Sequence, residues 1–371
     1  MRVNINDYFN NWQYHPETEH GNRTGRWDES YRILEGVGLN VEIVAEFAQG
    51  YEGSPELAHL LLKAAAKGGA DSAKFQLVYA DELATPDYSH YDLFRSLEMS
   101  DGVWESLAAS ASELGMRLYV DIFGARSLLL AEKIGLTGVK VHGTDISNLG
   151  FLERIASSSI SKVFLGAGGA FRSELERAVD ILSTKEIVIL LGFQGYPTLN
   201  EANQMDRIGL LRNRFNQTSA NVRVGFADHA LTEGSMSYAI AATALGAGAQ
   251  VLEKHLTLSQ VMELEDHEAA LNPDQFVGFC ETVRECAAAL GAATDTESFD
   301  MSDAEQRYRK MIRRHVVSSR NLPAGTQLSP SDLELKRTSA MEVVMDLELA
   351  YGKTLQRDLD INMPLLPRDI K

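Results

Sequence analysis

Two histidines raise the first chemical question in this chain. His229 closes the stretch VRVGFADH and His255 closes AQVLEKH, each where an apolar, β-rich run stops. If those runs are neighbouring strands, their backbones lie about 4.8 Å apart. Both imidazoles can then reach one divalent cation. Two ligands do not close a structural site, which takes four, so positions stay open for water and substrate. Asp228 stands beside His229 and is expected to serve the same site, fixing local geometry or a histidine tautomer. The second signal is a pair of lysines inside apolar runs, Lys74 in SAKFQ and Lys140 in GVKVH. A strand lysine can snorkel to water. A buried one is costly unless an anion neutralises it. Two aimed into one cavity therefore point to a phosphate or carboxylate ligand. Glu46, the last residue of VEIVAE, either pairs with such a lysine or serves the reaction.

These residues need a scaffold that gathers strand ends. From Val41 onward the chain supplies eight apolar, β-rich runs: 41–46, 72–76, 116–123, 138–142, 162–167, 186–192, 222–227 and 249–255. Most are separated by amphipathic stretches, such as 55–70, 127–136, 173–183 and 234–248. Short, continuous apolar strands alternating with such helices specify a parallel sheet covered by helices. Eight units fit a (β/α)8 TIM barrel, an α/β fold whose active sites lie at the C-terminal ends of the strands. A doubly wound open sheet is the competing architecture. The count of eight, and the lack of a G-x-G-x-x-G after the first strand, favour the barrel. The strand ends then collect Glu46, Lys74, Gln76, Asp121, Lys140, His142, Asp145, Gln194, Asp228, His229, Glu253, Lys254 and His255.

The rest of the chain divides simply. Residues 1–40 are polar and irregular and read as an N-terminal extension; residues 41–290 form the barrel. Residues 291–306 are polar and acidic and read as a linker. Residues 307–371 carry short alternating strands and a Pro-Ala-Gly turn, a compact β-rich module of a size that is marginal alone. Of 371 residues, 44% are hydrophobic and 23% charged, with a formal net charge of −17. That surface repels a phosphate backbone, which argues against nucleic acid as a partner. The polar start is unlike a secretory signal, and the sequence shows no run of about 18 apolar residues for a membrane span. Cys280 and Cys286, six apart in a helical stretch, read as reduced thiols in a cytoplasmic protein.

Taken in order, AEFAQGYEGSPELA, GGADSAKFQ, GVKVHGTDISNLGFLERIA, YPTLNEANQ, GFADH, LGAGAQVLEKHLTL and EDHEAALNPDQF form a specific set. The chain resembles the sialic acid (N-acetylneuraminate) synthase family over Val41 to Ile370. Its last module is similar to the antifreeze-like (SAF, β-clip) domain of that family. The resemblance implies condensation of phosphoenolpyruvate with an N-acetylhexosamine-type aldehyde to a 2-keto-3-deoxy (nonulosonic) acid. It implies His229 and His255 as ligands of Mn2+ or Mg2+, with Glu46 near the reacting carbonyl. It puts Lys74 and Lys140 on phosphoenolpyruvate, matches Gln76 to the substrate-binding glutamine of the family's K-F-Q, and puts Asp266 on the acceptor sugar. It also implies a homodimer with swapped C-terminal domains, in which Arg337 reaches the partner subunit's site.

The departures from that pattern concern the donor. Asp121 stands where a threonine is expected, Gly143, Ala167 and Ala227 stand for serines, Asp145 for a glutamate and Gln194 for an asparagine. The stretch Gln49-Gly50-Tyr51-Glu52-Gly53 replaces N-H-N-G, and Arg337-Thr338-Ser339 lacks the usual continuation. Each lost hydrogen bond to a charged phosphate is worth about 1.5–3 kcal/mol, and a carboxylate at 121 repels phosphate unless turned away or protonated. Two further readings stay open from sequence. One is another metal-dependent carbon–carbon lyase or aldolase with a different donor. The other is a non-catalytic sugar-acid-binding protein.

Overall fold

The computed structural model describes residues 41–192, 195–216, 221–231, 236–291 and 301–371. The N-terminal extension, Gln194 and most of the expected linker lie outside the described residues. The chain divides into two compact units, Met1–Ala292 and Ala293–Lys371.

In the first unit eight parallel strands close a barrel in sequence order. They are β1 (Glu42–Ala48), β2 (Ser72–Gln76), β3 (Arg117–Asp121), β4 (Gly138–Val141), β5 (Lys162–Gly166), β6 (Glu186–Gly192), β7 (Val222–Asp228) and β8 (Val251–His255). A long helix follows each: α1 (Pro55–Gly68), α2 (Asp101–Glu113), α3 (Ala125–Lys133), α4 (Leu149–Ser157), α5 (Arg172–Ile181), α6 (Asp206–Asn216), α7 (Met236–Gly246) and α8 (Pro273–Leu290). Helix starts and stops follow local chemistry. Ser54 accepts from Leu57 N at 3.3 Å, Pro55 opens α1, and Gly69 ends it in the left-handed region at φ 87.

The strands are buried on both sides, which is why they read as nearly continuous apolar runs. Their outward residues meet the helices in one large core that includes Ile43, Phe75, Val139, Val163, Ile189 and Phe226. The inward residues Val44, Tyr119, Phe164, Val188, Leu190, Ala227 and Val251 fill the barrel as a second cluster. Gly138 makes room there, since a Cβ at that position would sit 2.6 Å from the Tyr119 ring. Toward the N-terminal ends of the strands the barrel closes on Glu42. Its carboxylate accepts from Lys162 at 2.9 Å, Tyr119 at 2.9 Å and Ser72 at 3.1 Å, and also pairs with Arg117 and Arg223.

In the second unit β9 (His315–Ser318) pairs antiparallel with β10 (Leu333–Lys336). Val316, Leu322, Leu328, Leu333, Val344, Leu355, Leu359 and Leu365 form its core. A helix, α9 (Asp303–Ile312), starts inside the stretch expected to be linker. Its capping box explains the start: Ser302 Oγ accepts from Glu305 N at 3.2 Å, and Glu305 Oε2 accepts from Ser302 N at 2.6 Å. Among the described residues no helix is long and apolar enough to cross a membrane, and both cysteines are free thiols.

Candidate active site

Strand alternation decides which side chains enter the barrel mouth. The registers set Glu46 opposite Lys74 and His255, Gln76 opposite Asp121, and Asp121 opposite Lys140. With the interior residues Val44, Tyr119 and Val251 as reference, the inward face carries Glu46 on β1, Lys74 and Gln76 on β2, Asp121 on β3 and Lys140 on β4. It carries Glu253 and His255 on β8. A bulge between Glu46 and Ala48 ends β1, with Ala48 at φ 44. Glu46 Oε1 accepts from Ala48 N at 2.6 Å across that bulge, which fixes the carboxyl's direction.

The two lysines meet acids of the chain itself. Lys74, fully buried, holds Asp121 Oδ1 at 2.5 Å, contacts Glu46 Oε2 and lies 3.6 Å from Glu253 Oε2. Lys140 Nζ donates to Glu253 Oε1 at 2.8 Å and lies 3.7 Å from Asp121 Oδ2. His142 Nε2 meets the same Asp121 oxygen at 2.9 Å. Burial alone would push all three carboxyls up, but they separate. For Asp121 the charges of Lys140 and Lys74 outweigh burial and hold it well below the usual carboxylate range. Glu253 is lowered by the same two lysines against its burial. Glu46 is pushed up to about 8, because burial and the neighbouring Glu253 and Asp121 charges outweigh Lys74. Burial would lower Lys74, yet Asp121, Glu253 and Glu46 keep it well above its usual value. Near neutral pH the cluster therefore sets the Lys74 ammonium group among two carboxylates and one neutral acid.

Beside it stand the two histidines. The His229 and His255 ring centroids are 5.1 Å apart, and Tyr196 lies edge-on to both at 5.9 and 5.8 Å. His229 Nδ1 donates to the Ala227 carbonyl at 3.0 Å, which leaves the lone pair on Nε2. Burial and the Lys140 charge lower the His229 pKa to about 4. Burial, His229 and the lysines hold His255 well below its usual value. Both imidazoles are thus neutral at pH 7, the form that binds metal. Among the described residues no cluster of three or more His, Cys, Asp or Glu is placed to hold a cation. The pair fits a cation only as half of a site that substrate and water complete.

The remaining expected residues sort as follows. Gln76 Oε1 accepts from Gln49 Nε2 at 2.8 Å. The Asp266 carboxylate, at φ 63, accepts from Gln49 N at 3.3 Å, and Tyr196 OH donates to the Asp266 carbonyl. Burial pushes the Asp266 carboxyl up to about 6, against the Gln49 bond. Asp145 is half-buried in the turn after β4, its pKa raised by burial. Arg337 lies in the second unit, where its Nε donates to the Ile312 carbonyl at 3.2 Å. Gln194 is not described.

Asp228 requires a correction. It alternates with Ala227 and His229, so its side chain leaves the barrel on the outer side. There it pairs with Lys254 at 3.1 Å and accepts from Ala230 N at 2.8 Å. The Ala227 carbonyl, not Asp228, fixes the His229 tautomer. Glu253 and His142, gathered at the strand ends by the sequence but given no role there, join the site, and Tyr196 joins it without any such signal. Glu253 shares the His255 face two residues away, so alternation alone could have found it. The missing serine at 143 also has a structural cause. A Cβ there would sit 2.0 Å from the Gly168 carbonyl oxygen and 2.8 Å from that of Gly166.

Comparison with known proteins agrees with this architecture. The chain is 25% identical to the N,N'-diacetyllegionaminic acid synthase of Legionella pneumophila, over 89% of this chain and 95% of that one. It is 25% identical to the mouse N-acetylneuraminate-9-phosphate synthase, over 79% of this chain and 82% of that one. The crystal structure of the N-acetylneuraminic acid synthetase of Leptospira borgpetersenii superposes with a TM-score of 0.64 at 23% identity, covering 73% of this chain and 91% of that one. Residues 313–371 match the SAF domain. Residues 61–295 match the NeuB family model, and the chain belongs to the NeuB family.

Proposed function

We propose that the protein joins phosphoenolpyruvate to the open-chain aldehyde of an N-acylated amino sugar, giving a nonulosonic 2-keto-3-deoxy acid and phosphate. Legionaminic, pseudaminic and sialic acid synthases of this family are phosphoenolpyruvate-dependent carbon–carbon bond-forming enzymes. The observation that carries the reading to this chain is the neutral His229/His255 pair beside the Lys74/Lys140 cluster at one barrel mouth.

In the reaction, C3 of phosphoenolpyruvate attacks the aldehyde carbon, and water adds at C2. The resulting tetrahedral centre collapses to the keto acid with cleavage of its C–O bond to phosphate. His229 and His255 would hold Mn2+ or Mg2+, which when bound supplies Lewis-acid polarisation of the aldehyde oxygen. Glu46 carries a proton near neutral pH and is the group positioned to give it to the nascent alkoxide. Lys140 and Lys74 stabilise the anionic charge of donor and leaving group. Gln49, Gln76 and Asp266 form the acceptor side, where Asp266 takes a sugar hydroxyl. Arg337 reaches a partner's site in a homodimer with exchanged C-terminal domains, in the cytoplasm.

The test is phosphate release from phosphoenolpyruvate with Mn2+ and a panel of N-acetylhexosamines and their diacetamido relatives. Turnover with at least one acceptor is the expected result. A folded, metal-loaded enzyme that turns over none of them refutes the reading.

A further inference from the structure

A lysine pair built to receive a phosphate should present its ammonium groups to the mouth with hydrogen-bond capacity to spare. Lys74 does not, being sealed among Asp121, Glu46 and Glu253, and Lys140 gives one of its donors to Glu253. Asp121 spans the pair: Oδ1 sits 2.5 Å from Lys74 Nζ, while Oδ2 sits 2.9 Å from His142 Nε2 and 3.7 Å from Lys140 Nζ. Glu253 closes the other side, 2.8 Å from Lys140 and 3.6 Å from Lys74. The Asp121 carboxylate thus lies where an anion would be bound by Lys74 and His142, with the Lys140 ammonium group 3.7 Å away. The inner end of this arrangement is sealed, with Lys74, Asp121 and Glu253 at most 1% exposed, whereas the His142 side chain is 39% exposed. An anion arriving from the mouth meets Lys140 and His142 first; His142 is already on Asp121 Oδ2, which lies 3.7 Å from Lys140.

We propose that Asp121 is the specificity-determining residue of the donor subsite: a built-in counter-anion, bonded to Lys74 and His142 and 3.7 Å from Lys140, that a phosphoryl group must displace from His142 in order to bind between His142 and Lys140. The like charge that remains beside the phosphate weakens every phosphoryl ligand. The cluster is charge-balanced without ligand, so the lysines need no bound anion to stay buried, in contrast to an open lysine pair. The subsite therefore discriminates by charge and holds phosphoryl groups weakly.

For its kinetic arm the inference rests on phosphoenolpyruvate being the donor; its binding arm does not. Full-length wild type, Asp121→Asn and Asp121→Ser are titrated with inorganic phosphate by calorimetry at fixed ionic strength, and KM for phosphoenolpyruvate is measured alongside. Asparagine keeps the shape and an oxygen for Lys74. Both variants should bind phosphate at least about tenfold tighter, equivalent to 1.4 kcal/mol, with KM for phosphoenolpyruvate lowered in proportion. Unchanged or weaker phosphate binding in folded variants overturns the proposal. Wild-type crystals soaked in phosphate give a check that needs no substitution. Phosphate on Lys140 and His142, with Asp121 Oδ2 moved off His142, supports it; phosphate elsewhere, with Asp121 still on His142, overturns it. Tighter phosphate binding with no turnover of phosphoenolpyruvate would sink the proposed reaction and leave this inference standing. Turnover with unaltered phosphate affinity would do the reverse.

Discussion

Replacing Asp228 with asparagine should destabilise the barrel and leave its chemistry nearly intact. Asp228 and Lys254 are 2% and 0% exposed and pair at 3.1 Å behind the barrel wall. The substitution keeps an oxygen for Ala230 N, which now bonds Oδ1 at 2.8 Å, but leaves the Lys254 ammonium buried without its counter-charge. Breaking a buried pair from one side costs about 3–5 kcal/mol. For a domain of this size that lowers the midpoint of thermal unfolding by on the order of 10 °C. Adding Lys254→Met removes the orphaned charge, so the double variant should recover most of the loss. The assay is a thermal melt of wild type, Asp228→Asn, Lys254→Met and the double variant, with kcat/KM taken well below each transition. Activity should stay within about threefold, under 1 kcal/mol of barrier. An Asp228→Asn protein as stable as wild type but slower by orders of magnitude would refute the reasoning, because Asp228 would then act on the reacting atoms.

Three further outcomes follow from the geometry. Glu46 has its pKa raised from 4.5 to about 8 in the folded state, so the fold binds that proton more tightly and loses this contribution as pH rises from about 4.5 through 8. Glu46→Gln should therefore gain stability relative to wild type across that window, by on the order of 4–5 kcal/mol at its top; denaturant melts at pH 5, 7 and 9 that differ by a constant amount would contradict it. Gly143→Ser should destabilise by about 1–3 kcal/mol, since its Cβ meets the Gly168 carbonyl at 2.0 Å, and a neutral effect in urea unfolding would show that the strand ends part freely. His229→Asn and His255→Asn should each weaken Mn2+ binding by more than about 100-fold, given that even outer-shell changes cost 10–100-fold; a manganese EPR titration that finds wild-type affinity in either variant removes that histidine from the site.

The barrel is legible in the sequence because two-sided burial makes its strands continuous apolar runs; SAKFQ and EIVILLG match β2 and β6 residue for residue. The lysines and histidines stand out for the same reason, as polar residues where strand burial leaves no water. What sequence does not supply is sidedness at the strand ends. In GFADH, Asp228 looks like part of the site because it touches His229 in sequence, yet alternation sends it out of the barrel to Lys254. In EKH, Glu253 and Lys254 stand side by side at the strand end, but only Glu253 shares the His255 face. The contact of Asp121 with His142 is less accessible still. It depends on the β3–β4 register, Asp121 opposite Lys140, and on His142 continuing the same face beyond the end of β4.

The two ends of the barrel interior bear on why so many charges are kept inside it. Buried ion pairs are weak stabilisers, and apolar replacements of equal volume are often neutral or better. At the N-terminal end Glu42 is satisfied by Lys162, Tyr119, Ser72 and two arginines, and its pKa is lowered despite burial. That is a closed structural network holding five strands together. At the mouth the same kinds of residue are left in unequal states: one acid neutral, two ionised, and two imidazoles held neutral beside ammonium groups. A purely structural cluster gains nothing from Glu46 at about 8 or His229 at about 4, because each gives up the pairing its charge would bring. Groups displaced toward neutrality in opposite directions, within one mouth, are what proton transfer and cation binding require. The unequal titration therefore agrees with the site proposed at the mouth, where it accompanies the His229/His255 pair, while the better-satisfied floor holds the strands together.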